Sequence, residues 1–152
     1  MLGDPAVGKT SLVRRFVHDE FDDKYITTFG TKPVKKIVDL DEDTVNLIIW
    51  DIAGHITESL SSRYFSGASG ALIVCDLTRE RTLESVENWY SRLIKNEGKV
   101  PVKLLLNKSD LEDWKFGKED IDYNGMDPML TSAKTGNNVE DAFSNLAESI
   151  IS

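Results

Sequence analysis

Gly3-Asp4-Pro5-Ala6-Val7-Gly8-Lys9-Thr10 constrains this chain more than any other stretch. It has the form G-x-x-x-x-G-K-[ST], a phosphate-binding P-loop. Glycines let the backbone curl until successive N–H groups converge on phosphate oxygens. Asp4, Pro5, Ala6, Val7 and Gly8 form the loop, and Lys9, Thr10 and Ser11 lead out of it. All eight are expected around the phosphates of a nucleoside polyphosphate. Lys9 supplies a compact positive charge for the terminal phosphates. Thr10 supplies a hydroxyl for Mg²⁺. Leu12 with Phe16 and Val13 with Val17 stand four apart, which predicts a helix from Thr10 to Val17. The positive end of its dipole would attract phosphate.

A loop of this kind comes after a buried strand, and here only Met1 and Leu2 precede it. The first strand is therefore expected to be largely missing, as in a shortened chain or one that starts inside a longer product. Groups left unpaired beside it would each cost about 1–3 kcal/mol if they stay buried.

Apolar runs and amphipathic stretches alternate, the pattern of an α/β sheet with helices on its faces. Val34 to Leu40 and Val45 to Trp50 read as strands, and Asp41-Glu42-Asp43 turns them into an antiparallel hairpin. Ala71 to Asp76 and Val102 to Leu106 read as buried parallel strands. Thr82 to Asn96 reads as a helix with Thr82 as its N-cap. Asn138 to Ile150 reads as a closing helix, with Val139, Ala142, Phe143, Leu146 and Ile150 on one face. Sheets of this type hold ligands at the carboxyl ends of their strands. The P-loop, Asp51, Asn107 and Ser132 all come just after such strands, so four distant segments are expected to meet.

Those segments carry specific chemistry. In Asp51-Ile52-Ala53-Gly54 the aspartate can hold Mg²⁺ through water, and Gly54 lets a backbone N–H reach the terminal phosphate. In Asn107-Lys108-Ser109-Asp110 a buried carboxylate can accept two hydrogen bonds from the N1 and N2 edge of guanine. Adenine offers no such pair, and the unpaired acceptor would cost about 1–3 kcal/mol. In Thr131-Ser132-Ala133-Lys134 backbone N–H groups can meet the guanine carbonyl.

In this order the segments resemble the small GTPases of the Ras superfamily, and the Rab branch most closely. Tyr25-Ile26-Thr27-Thr28-Phe29-Gly30, Trp50-Asp51-Ile52-Ala53-Gly54 and Gly67-Ala68 are similar to Rab phrases. The resemblance covers nearly the whole chain, residues 1–152, as one domain. It implies a P-loop NTPase three-layer α/β sandwich, with a mostly parallel sheet and one antiparallel hairpin. It implies a switch that binds GTP or GDP with Mg²⁺ and hydrolyses GTP. Lys9 would contact the terminal phosphates. Thr10 and the switch threonine Thr28 would ligate Mg²⁺, with Asp51 as a water-mediated partner. Gly54 would donate to the terminal phosphate. Asn107, Lys108 and Asp110 would hold guanine, and Ser132, Ala133 and Lys134 would finish the base pocket. Phe21 stands where the family places an aromatic ring beside the base; the alternative is a core phenylalanine ending the first helix. Thr28 and Gly54 would tie two loops to the terminal phosphate and release them when it is lost. Effectors, exchange factors and GTPase-activating proteins are the partners implied.

Several positions depart from the family. His55 stands where a water-orienting glutamine is usual, so slow intrinsic hydrolysis is expected; an exposed loop histidine with no catalytic part is the alternative. Pro5 lacks an N–H and should stiffen the P-loop without abolishing phosphate binding. Ile56-Thr57-Glu58-Ser59 replaces the usual Rab stretch, so partner specificity does not transfer. Arg63, Arg79 and Arg81 are expected to be solvated or ordinary helix residues. Between Asp110 and Thr131 a full helix and strand do not fit, so the helix should shrink to a turn near Lys118 to Asn124, broken by Gly125 and Pro128. Trp114 and Phe116 are expected to cover the gap.

A net charge of −8 argues against nucleic acid or an anionic membrane as a surface partner. The single cysteine, Cys75, lies in an apolar run and reads as core. With no signal peptide, membrane-length run or prenylated tail in the sequence given, a cytoplasmic monomer without a direct lipid anchor is expected. Two other classes compete with the hydrolysing switch. One is a GTP-loaded scaffold that does not turn over, which His55 supports. The other is a P-loop ATPase or small-molecule kinase, which Asp110 and the Ser-Ala-Lys segment oppose.

Overall fold

Strict alternation builds the first two strands. Inward Val34 and Val38 of β1 (Thr31–Asp39) and Leu47 and Ile49 of β2 (Thr44–Ile52) face the core, and outward Lys35, Ile37, Ile48 and Trp50 face solvent. The strands pair antiparallel with Pro33 opposite Trp50 and Val38 opposite Val45. Their turn closes where the Leu40 N–H donates to Asp43 O at 2.7 Å. Both strands run longer than the apolar pattern predicts, and Asp51 lies within β2 rather than after it. The computed structural model describes residues 1–24, 28, 31–123 and 125–152. Of the Tyr25–Gly30 phrase only Thr28 is therefore described, and Asn124 also lies outside.

The second sheet is parallel, in the order β3 (Ala71–Asp76), β4 (Val102–Asn107), β5 (Pro128–Leu130). Every residue of β3 is buried, as a strand covered on both faces requires. Leu72, Val74 and Leu105 face a layer of α1 (Lys9–His18) and α5 (Val139–Ile151). Ala71, Ile73, Cys75, Leu104 and Leu106 face the other layer, with α2 (Ser61–Phe65), α3 (Glu80–Glu84) and α4 (Val86–Glu97). This is the expected three-layer α/β sandwich, with Cys75 in its core.

Met1 and Leu2 occupy the seam between the two sheets. Leu2 donates to Leu72 O and accepts from the Val74 N–H, both at 2.8 Å, as a one-residue parallel bridge opposite Ile73. The Met1 amino group donates to Trp50 O at 2.9 Å. Leu2 thus bridges β3 just before the P-loop.

Three expectations need correction. The predicted helix over 82–96 is two, α3 and α4, divided at Ser85. The Ser85 hydroxyl bonds Asp4 Oδ2 at 2.6 Å, drawing the chain toward the P-loop. Thr82 is therefore no N-cap; its hydroxyl accepts from the Asp76 N–H at 2.9 Å, inside the fold. In the short segment after Asp110 a single 3-10 turn, Lys118–Asp120, replaces the helix as expected. Phe116 is buried there with Met126, but Trp114 is exposed and belongs to neither core cluster.

Phe16 and Phe143 stack with ring centroids 4.1 Å apart and join α1 to α5. Phe143→Ala should cost about 3–5 kcal/mol, because the cavity collapses only partly. Chemical denaturation monitored by far-UV circular dichroism will measure it.

Candidate functional site

The P-loop is built by its carbonyls. Lys9 Nζ donates to Gly3 O at 2.7 Å and Asp4 O at 2.8 Å. Arg79 Nη2 donates to Pro5 O at 2.9 Å, Lys108 Nζ to Ala6 O at 3.0 Å, and Asn107 Nδ2 to Val7 O at 2.9 Å. The Leu12 N–H takes Gly8 O at 2.9 Å as α1 begins. Each carbonyl from Gly3 to Gly8 therefore has a donor. A trans peptide points its C=O and its N–H in opposite directions, so fixing the carbonyls also fixes where the N–H groups point.

Two glycines are dictated by close approach. A Cβ on Gly8, which has φ +102°, would lie 2.3 Å from Asn107 Nδ2. A Cβ on Gly54 would lie 2.4 Å from Pro5 N. Gly54 thus sits directly on the P-loop backbone, and only a residue without a side chain can.

Above this frame lies a cavity of about 350 Å³. Pro5, Ala6, Gly8, Lys9, Thr10 and Ser11 line one end with Thr28, Gly54 and His55. Asn107, Lys108, Asp110, Ala133, Lys134 and Phe21 line the rest. Most residues expected around a nucleotide are brought together here. Phe21 lies beyond the end of α1 at His18 and is exposed, so it is not a core residue.

Four expected residues sit elsewhere. The Asp4 carboxylate turns away, bonded to Ser85 Oγ and, at 3.0 Å, to the Trp89 indole N–H. Val7 is fully buried and has only backbone to offer. Ser132 is buried and donates to Asp110 Oδ1 at 2.7 Å, so it orients that carboxylate rather than lining the cavity. Asp110 itself lines the cavity and is exposed rather than buried. Asp51 lies beneath Thr10.

Thr10 Oγ1 is 2.8 Å from Thr28 Oγ1 and 2.5 Å from Asp51 Oδ2. Asp51 Oδ1 is buried with no hydrogen-bond partner among the described residues. Two hydroxyls and a carboxylate with an unspent oxygen form a hard donor set, suited to a divalent cation that takes oxygen ligands. Among the described residues there is no cluster of three His, Cys, Asp or Glu, so phosphate oxygens or water would have to complete the coordination.

Lys9 and Lys108 bring two ammonium groups to the P-loop. Burial lowers the pKa of the Lys9 ammonium to about 8 against the pull of Asp51 and Asp4, with Arg79 pushing further down. A polyphosphate beside it would reverse that shift. Asp76, 1% exposed, lies 2.8 Å from Lys108 Nζ and 3.8 Å from Arg79 Nε. Burial raises its pKa, but the Lys108 ammonium and two donors of Thr78 outweigh burial and hold it below the ordinary value.

Over residues 1–152 the chain matches the Ras family. It is 37% identical over 158 residues to the Ras-related protein Rab-13 of Bos taurus, covering 99% of this chain and 78% of that one. The GTP-binding protein YPT1 of Saccharomyces cerevisiae is 37% identical over 157 residues, covering 99% and 76%. The Ras-related protein Rab-8B of Pongo abelii is 33% identical over 159 residues, with the same shares. The chain is a Rab-like small GTPase of the Ras superfamily. The hairpin beside a parallel sheet, with the cavity at the carboxyl ends of the strands, is the fold of that family.

Several contacts of this GTPase escape sequence reasoning. Arg79 is no idle surface residue, since it holds Pro5 O. Arg15 holds the 131–134 segment, with Nε donating to Ala133 O at 2.8 Å and Nη2 to Lys134 O at 2.5 Å. Arg14, Glu20, Asp22, Asp23, Lys24 and Leu111 also line the cavity. None belongs to a motif. Arg14 and Arg15 had a signal, each one helical turn beyond a residue of the P-loop exit, Thr10 and Ser11.

Asp76→Asn removes the charge that holds Lys108 and Arg79. At pH 7 it should cost about 2 kcal/mol of stability. The depressed Asp76 pKa means this contribution is present above the unfolded value of 3.8 and is lost as pH falls below it. Denaturant titrations at pH 7, 5 and 3.5 should show an unchanged gap between wild type and variant at the first two, and a smaller one at the third.

Proposed function

We propose that this small GTPase is a molecular switch that binds GTP or GDP with Mg²⁺ and hydrolyses GTP slowly. The observation that carries this reading is one cavity lined both by the P-loop and by Asp110, which Ser132 orients. Lys9 would meet the terminal phosphates, and the helix dipole of α1 would add to its pull. Thr10, Thr28 and Asp51 would hold Mg²⁺, which neutralises phosphate charge when bound. Asn107, Lys108 and Asp110 would hold guanine, with Phe21 beside it and Ser132, Ala133 and Lys134 closing the pocket. Thr28 and Gly54 would sense the terminal phosphate, and effectors, exchange factors and GTPase-activating proteins would read the result. Exposed Ile37, Ile48 and Trp50 on the hairpin suit protein partners. A cytoplasmic monomer is part of the same proposal.

His55 lies at the cavity and is exposed. Its imidazole can hold a water, but it lacks the donor-plus-acceptor amide of a glutamine. A second reading, a GTP-binding scaffold without turnover, is favoured by the same His55. Phosphate release under single turnover separates the two.

His55→Gln should raise the single-turnover rate about tenfold or more, because an oriented water is what the histidine fails to supply. An unchanged rate would show that His55 is not the limiting departure. Asp110→Ala should weaken GDP binding about 10- to 100-fold by leaving two base donors unpaired. Displacement of a fluorescent GDP by GTP, GDP and ATP will read both this loss and the discrimination against adenine.

A further inference from the structure

Arg15 on α1 spends its whole guanidinium on one turn of chain and on the end of its own helix. Nε donates to Ala133 O at 2.8 Å and Nη2 to Lys134 O at 2.5 Å. Nη1 donates to Asp19 Oδ1 at 2.9 Å, and the Asp19 N–H, just past the end of α1, donates to Arg15 O at 3.0 Å. Each of the three nitrogens therefore has a partner, which fixes the plane of the fork. The Arg15 side chain is only 17% exposed, so these bonds are largely shielded from water.

The two carbonyls it holds belong to residues that line the cavity. Across a trans peptide the Ala133 C=O sets the direction of the Lys134 N–H. The Ala133 N–H is set in the same way by Ser132 O, which accepts from the Gly136 N–H at 2.8 Å. Among the described residues neither the Ala133 N–H nor the Lys134 N–H has an acceptor. Two neighbouring residues of the cavity wall thus carry unspent donors whose directions are fixed by the carbonyls beside them.

The other half of the base pocket is held without Arg15. The Thr131 N–H donates to Leu106 O at 2.9 Å, and the Ser132 N–H donates to Asn137 O at 3.1 Å. Ser132 Oγ in turn holds Asp110 Oδ1 at 2.7 Å. Removing Arg15 would therefore release the Ala133 and Lys134 donors and leave Asp110 in place.

We propose that Arg15 is a positioning residue for guanine recognition, aiming the Lys134 N–H, with that of Ala133 beside it, at the carbonyl oxygen of the base. This rests on the reading of the cavity as a guanine-nucleotide site. A carbonyl oxygen has two lone pairs and can accept from both donors at once. Adenine presents an amino group at that place, so the same donors would meet a donor. The carbonyl and the N1 and N2 edge of the base are then read by two separately held parts of the pocket, one through Arg15 and one through Ser132 and Asp110.

The test uses the whole chain and the variants Arg15→Met and Arg15→Lys, with GDP and with inosine diphosphate. Inosine keeps the carbonyl and lacks the amino group that Asp110 would take. Arg15→Met should weaken binding of both nucleotides about tenfold and release GDP about tenfold faster. Its preference for GDP over inosine diphosphate should stay within about twofold of wild type, because Asp110 keeps its hold. In amide NMR the Lys134 proton should move downfield when GDP binds wild type, and Arg15→Met should lose at least about half of that movement. Arg15→Lys puts a point charge in place of the fork and should fall between, and it decides the matter by the same readouts if Arg15→Met fails to fold. The proposal is overturned if both variants bind GDP within about twofold of wild type, or if the preference over inosine diphosphate falls by as much as the affinity. It is overturned alone if wild type binds GDP and the Lys134 amide does not respond. Should wild type bind no guanine nucleotide, the nucleotide reading itself falls and takes this proposal with it.

Discussion

A loop that grips phosphate with backbone N–H groups must first dispose of its carbonyls. Here every carbonyl from Gly3 to Gly8 is taken by a donor from Lys9, Arg79, Lys108, Asn107 or Leu12. Much of the rest of the site depends on that constraint. Two of the donors, Lys108 and Arg79, converge on one buried carboxylate, Asp76. Asn107 serves the P-loop with its amide nitrogen and accepts from the Thr131 hydroxyl at 3.2 Å with its oxygen. The P-loop and the 131–134 segment are therefore parts of one polar frame.

The frame also settles how a chain of net charge −8 can hold an anion. Cations gather where the loop carbonyls need donors, and they sit partly desolvated there. Local field rather than total charge governs the pocket. Burial lowers the Lys9 pKa, and a bound polyphosphate would counter that burial. The same economy places Thr10 over Asp51, whose second oxygen is left without a partner. On the far side of the P-loop, Asp4 turns its carboxylate to Ser85 and Trp89, which ties the loop to α4.

Motif residues lay open in the sequence because their chemistry demands fixed types at short spacing. Lys9, Thr10, Gly54, Asn107 and Asp110 meet as expected, and the shortened stretch after Asp110 makes only a turn. Thr82 misled because a threonine before an amphipathic run looks like a cap, whereas here it is a buried clamp for Asp76. Asp4 misled because its place in the loop says nothing of which way its side chain turns. Arg79 looked like a solvated helix residue, since its partner Pro5 is 74 positions away. Contacts at that range leave no local pattern.

By itself the sequence determined the fold class, the P-loop and the motif residues that meet at the cavity, because these depend on periodicity and on residues that must stand next to one another. Only the tertiary structure decided which cations hold the loop carbonyls, that Ser132 serves Asp110, that Met1 and Leu2 fill the seam between two sheets, and that Arg15 fastens Ala133 and Lys134 to α1. Those are choices of direction and distance between segments far apart in the chain, and they are made when buried polar groups must each find a partner.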